Sequence, residues 1–242
     1  TFSEGFRPGL LNRPGGSTNG QGFSVPFALD TDEVKNYEFG WKTNFLDNRI
    51  RWNGTFYRVD WSDVQLTVTD LSITNLTFTT NLGEAEVTGI DSDIAFAVTD
   101  NLTLFASFAW NDTEMTSVAN DIFEPSNIAP AGSTLAFAPE LQYVLRGRYT
   151  WQFGDYDAHA QLAFQHADDS ENSIVLSQQA NIPSWDTVDA TFGFGKDNYG
   201  VEFFVNNLTD ERVIRFVRAN GATPEQFVTR PRTMGLRFTY DY

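Results

Sequence analysis

The chain ends in a stretch that alternates without error. Met234, Leu236, Phe238, Tyr240 and Tyr242 fall on one face of an extended strand, and Thr233, Gly235, Arg237, Thr239 and Asp241 fall on the other. Successive side chains of a strand point to opposite faces, so a period of two separates an apolar face from a polar one. A run of about ten such residues is what a tilted strand needs to cross the hydrocarbon core of a bilayer. That combination of period and length leaves few architectures open.

The pattern recurs. Leu141, Tyr143, Leu145, Gly147, Tyr149 and Trp151 oppose Glu140, Gln142, Val144, Arg146, Arg148, Thr150 and Gln152. Further apolar faces are Leu102, Leu104, Ala106, Phe108 and Trp110; Ala158, Ala160, Leu162 and Phe164; and Tyr37, Phe39, Trp41, Thr43 and Phe45. Near Phe56 and Tyr57 the phase slips, because Trp52 and Phe56 are on even positions whereas Val59 and Trp61 are on odd ones; a β-bulge is expected there. Tyr and Trp gather at strand ends, at Tyr149, Trp151, Tyr240, Tyr242 and Trp185, as rings of a membrane-interface girdle do. No run of about 18 apolar residues exists, so a transmembrane helix is excluded. Barrel strands escape that test, since half their residues are polar.

Connections alternate in length. Short turns rich in Asp, Asn and Gly stand at 46–49, 99–101, 153–156 and 196–199. Long connections cover about 6–31, 69–81, 112–134, 167–182 and 217–226. Outer-membrane barrels set short turns on the periplasmic side and long loops outside, which places the C-terminus in the periplasm. The fold class expected is all-β, a transmembrane antiparallel β-barrel. About nine strands are counted from Lys35 onward, with a partial one at 1–5.

Composition narrows the partners. The chain has 32 acidic against 16 basic residues, a net charge of -16, and so lacks the basic surface that nucleic acid requires. There is no cysteine, hence no disulfide and no thiolate zinc site.

Five phrases carry a family resemblance: FSEGFRPG at 2–9, WNGTFYRVDWSDVQ at 52–65, TNLGEAEVTGI at 80–90, VNNLTDER at 205–212 and PRTMGLRFTY at 231–240. In this order they resemble the C-terminal half of the barrel of TonB-dependent receptors, along essentially the whole chain. The resemblance implies that residues 1–242 are the C-terminal portion of a barrel of about 22 strands with a plugged lumen. The plug domain and the N-terminal strands are then absent from this chain. It also implies active uptake across a bacterial outer membrane of a scarce nutrient, a siderophore-bound iron, a vitamin or a carbohydrate. Energy would come from the TonB complex through the plug. Partners would be outer-membrane lipid and lipopolysaccharide, the rest of the barrel, and in some cases a surface lipoprotein subunit. Neither a cofactor nor catalysis is implied. Two other readings stay open: a smaller complete barrel acting as pore or protease, and a soluble β-sandwich that binds carbohydrate.

Candidate residues follow from the alternation. Arg146, Arg148, Arg237, Glu38, Lys42, Asp91, Asp93 and Asp189 are expected to face the lumen and a plug, or to pair with neighbouring strands. Asn111, Glu140, Gln142, Arg215, Arg218 and Trp185 lie near outer strand ends and loops, and are the substrate-binding candidates. Phe238, Tyr240, Tyr242, Trp151 and Tyr149 are the membrane-girdle and assembly residues. His159 and His166, seven positions apart, fall on opposite faces and cannot share a metal. His166 beside Asp168 and Asp169 has no nucleophile to complete a catalytic set. Asp112, Glu114, Asp121 and Glu124 form an acidic loop group whose spacing matches no calcium loop.

Overall fold

The computed structural model describes residues 1–20, 22–68, 73–118, 130–218 and 225–241, without the side chain of Ser177. Along the chain run β1 (Phe2–Arg7), β2 (Asp32–Phe45), β3 (Ile50–Ser62), β4 (Gln65–Val68), β5 (Phe78–Asn81), β6 (Gly83–Ala97) and β7 (Leu102–Val118). There follow β8 (Leu141–Phe153), β9 (Tyr156–Ala167), β10 (Ser170–Glu171), β11 (Asn181–Ile182), β12 (Trp185–Lys196), β13 (Tyr199–Asn206), β14 (Ile214–Arg218), β15 (Glu225–Val228) and β16 (Thr233–Tyr240). Ten of them make one antiparallel sheet in the order β1-β2-β3-β6-β7-β8-β9-β12-β13-β16. The others pair as small hairpins inside the long connections.

Every apolar run read from the sequence lies on one face of this sheet. Phe238 pairs with Val201 and Val201 with Phe194; Phe194 in turn faces Ala158, and Ala158 faces Trp151. Leu145 likewise joins Ala106, Ile94, Trp52 and Thr43 in one row. Large members of this face are open: Phe39 is 72% exposed, Leu162 60% and Phe238 72%. Such a continuous apolar face, uncovered by any second layer among the described residues, is a surface for lipid. The soluble sandwich, which needs a packed second sheet, is thereby overturned.

The edges decide a second alternative. β1 and β16 stand at opposite ends of the sheet and do not pair with each other. The ten strands therefore form an open part of a barrel, not a small closed one.

The expected bulge at Phe56 and Tyr57 is absent. β3 keeps one register from Ile50 to Ser62 with β2, and from Ile50 to Trp61 with β6. What changes is polarity: beyond Phe56 the outward positions are Arg58 and Asp60, and the inward ones are Val59 and Trp61. The strand runs past the hydrocarbon, and there its two faces exchange roles. The bulge in this region lies instead at Glu84 and Ala85 of β6. β7 also extends farther than expected, so Asp112 and Glu114 are strand residues and not loop residues; Asp121 and Glu124 lie outside the described residues.

Short turns adopt left-handed backbone at Asp47, Asn48, Gly154 and Asp197, residue types that tolerate it. The hydrophobic core sits at the opposite end, among the long connections. Val64, Val68, Ile73, Phe78 and Leu82 pack with Ala85, Met115, Ile174 and Val175. Backbone bonds such as Ser17 N to Ile73 O, 2.8 Å, fasten the 8–31 segment to this core.

Candidate functional site: the polar wall and its loop end

The polar face is built by the same register that builds the apolar one. Arg146 pairs with Ala163 and Phe105, and Arg148 with Gln161 and Thr103. Asp91 faces Thr55 and Ala109, Asp93 faces Asn53 and Ser107, and Glu38 faces Tyr57. Lys42 stands opposite Asn53, Asp189 opposite Ala163, and Arg237 opposite Glu202. All the charges expected on the inner wall therefore share one face of the sheet.

Their partners differ. Arg237 Nη1 donates to Glu202 Oε1 at 2.7 Å, and Glu202 Oε2 lies 3.2 Å from His159 Nε2. This chain ties β9, β13 and the last strand together across the wall. Asp189 accepts from the Asn207 N–H at 2.8 Å and from Gln165 at 3.3 Å, and Asp93 accepts from Asn53 at 3.1 Å. Arg146 lies over the Phe105 ring at 4.8 Å. Glu202 and His159 escaped the sequence reading of this wall. Alternation along 199–206, extended to that strand, points to Glu202.

A concavity of about 530 Å³ opens on this face, lined by Lys42, Asn53, Asp91, Asp93, Gln142 and Gln165 among others. At its edge, Ala109 and Gln142 continue through Ala167 to Trp185 in one cross-strand row. Trp185 thus belongs to the polar face, opposite the girdle in which its position at a strand end first placed it. Arg215, from the β14–β15 hairpin, lies over the Trp185 ring at 3.9 Å. Burial there pushes its guanidinium below its ordinary pKa. Asn111, at the same end, accepts a hydrogen bond from the Tyr57 hydroxyl.

Two substrate candidates are turned elsewhere. Glu140 precedes β8, so the alternation does not govern it, and its Oε1 accepts from Trp110 Nε1 at 3.1 Å on the apolar face. Arg218 pairs with Glu225 at 3.1 Å across its own hairpin. The structure hence gathers Asn111, Gln142, Trp185 and Arg215 at the loop end of the wall, without Glu140 and Arg218.

The two histidines lie on opposite faces. His166 is held between Asp186 Oδ1 at 2.7 Å and Asp168 Oδ1 at 3.0 Å on the outward side. At the loop end Arg7, Asp32 and Trp61 make a second anchor, with Asp32 Oδ2 accepting from Arg7 Nε at 3.0 Å and from Trp61 Nε1 at 3.1 Å. Tyr149 meets Trp151 at 5.6 Å, and Tyr240 meets Tyr199 at 5.0 Å. Tyr242 lies outside the described residues.

Comparison with known proteins places these features. Residues 1–208 match the family described as TonB dependent receptor-like, beta-barrel. The metal-pseudopaline receptor CntO of Pseudomonas aeruginosa is 28% identical over 206 residues, covering 83% of this chain and 26% of that protein. The ferric yersiniabactin uptake receptor FyuA of Yersinia pestis superposes with a TM-score of 0.75 at 16% identity, over 100% of this chain and 34% of its own. The siderophore receptor PiuA of Acinetobacter baumannii gives 0.73 at 17% identity, over 100% of this chain and 33% of its own. The chain spans between a quarter and about a third of the length of these relatives.

Proposed function

Since the chain belongs to the TonB-dependent receptor β-barrel family, we propose that it forms the C-terminal wall of an outer-membrane transporter that takes up a scarce nutrient with energy delivered through TonB. The observation that carries this reading is the open ten-stranded sheet, apolar on one face and charged on the other. An open edge cannot stand unpaired in lipid, so β1 and β16 call for the rest of the barrel. Short turns lie in the periplasm on this reading, together with the C-terminus, and the long connections face outward among lipopolysaccharide and any surface lipoprotein.

Lys42, Arg146, Arg148 and Asp91 make no ion pair within the described residues. They are the wall charges left free for a plug. Arg237, already paired with Glu202, contributes less.

Substrate is captured at the loop end by Asn111, Gln142, Trp185 and Arg215. A metal chelate is favoured over a vitamin or a carbohydrate, because the relatives include receptors for metal-pseudopaline and ferric yersiniabactin. The barrel wall holds and releases this cargo without covalent chemistry. Radioiron uptake by cells that carry or lack the full-length protein, each with and without TonB, tests the proposal. Uptake that needs both is expected; chelate uptake independent of TonB would sink it.

A further inference from the structure

At the short-turn end of the apolar face the rings of Trp151, Phe153, Tyr156, Phe192 and Phe194 surround a groove of about 500 Å³. Its floor is Ala158, which register sets between Trp151 on one neighbouring strand and Phe194 on the other. A methyl group between two large rings leaves a notch, most of which the rings cover, since Ala158 is 5% exposed. Ring contacts hold its walls: Trp151 to Phe192 at 5.9 Å, Phe192 to Phe194 at 6.4 Å, and Tyr156 edge-on to Phe194 at 6.2 Å.

The rim is polar and carries both signs. Lys196 Nζ stands 5.5 Å from the centroid of the Tyr156 ring and reaches Asp155 Oδ2 at 3.0 Å. Its register partner is Tyr199, itself paired with Tyr240, so the ammonium stands on the outward face at the lower edge of the apolar band. A lysine so placed buries its carbon stem and keeps its charge at the headgroup level. Asp155 beside it is 81% exposed.

Resting on the reading of this face as lipid-facing, with the short turns in the periplasm, we propose that the groove binds phosphatidylethanolamine of the inner leaflet. One acyl chain lies in the groove along these rings, whose lining is almost wholly apolar. The phosphate takes the Lys196 ammonium, and the ethanolamine ammonium takes the Asp155 carboxylate. Charge complementarity selects this headgroup. A zwitterion offers an anion and a cation side by side, as the rim does in reverse. An anionic headgroup such as that of phosphatidylglycerol would satisfy Lys196 but meet Asp155 with no positive group to offer it.

The test is native mass spectrometry of the full-length protein extracted from outer membranes, with phosphatidylethanolamine and phosphatidylglycerol supplied in equal amounts. Wild type is expected to retain phosphatidylethanolamine several-fold better. Ala158→Phe, which fills the notch, and Lys196→Ala, which removes the phosphate contact, are each expected to lower that retention several-fold. Equal retention of the two lipids by wild type, or retention unchanged in both variants, would overturn the site. Heat-modifiable migration of the same samples reports on barrel folding. Both variants should keep it, and a wild type without it would overturn the membrane reading itself.

Discussion

Gly193 faces His159 across the β9–β12 pair, and a Cβ built on it would stand 2.4 Å from His159 Cε1. Gly54 is covered in the same way by Trp41 on the outward face. A glycine weakens a strand, yet here each makes room for a ring that shields the bare backbone. Replacing Gly193 with Val is expected to displace His159 from Glu202 and cost about 1–3 kcal/mol through overpacking, read as a lowered urea midpoint of the folded barrel. At this scale the sequence says which face a residue takes but not whom it meets. Alternation placed Arg237 on the polar face from its own strand alone. Its bond to Glu202 depends on the register of two strands separated by a long connection, and no local pattern carries that register. Glu140 shows the converse, since one residue before a strand the alternation loses its grip.

Strands and turns were the most legible elements, because each strand repeats one simple pattern and the short turns are rich in Asp, Asn and Gly, which take up left-handed backbone at Asp47, Asn48, Gly154 and Asp197. Parity makes a sharp test of them. Leu162 and Gln161 are adjacent, but Leu162 lies outward between Gly147 and Ala190 whereas Gln161 lies inward between Arg148 and Thr191. Leu162→Arg is expected to cost about 2–4 kcal/mol if it lies near mid-membrane, and Gln161→Arg much less, in folding titrations into lipid vesicles. The long connections were not legible. Their core joins Val64, Phe78, Met115 and Ile174 from separate segments, and none of these shows a period of its own. Nor could periodicity separate a bulge in β3 from a strand that leaves the membrane, since both shift the apolar phase. Met115 is fully buried, so Met115→Ala is expected to cost the loop assembly about 2–5 kcal/mol. Faster proteolysis of the loops, with heat-modifiable migration of the barrel retained, would be the readout.

For the whole molecule, the open edges govern behaviour. Residues 1–242 expressed alone should fail to give a heat-modifiable monomer in detergent, because β1 and β16 would leave two rows of backbone groups unpaired. Full-length protein should give one, and a folded monomer from this chain alone would contradict the open-sheet reading. The order of the sheet has a further consequence. Once the small hairpins are set aside, each strand pairs only with the strands just before and after it in the chain. Adding or deleting one up-and-down pair of strands would then change the circumference while every other pairing kept its register. A wall laid out in this way can widen or narrow over evolutionary time by duplication of a single unit, with no rewiring of what stands beside it.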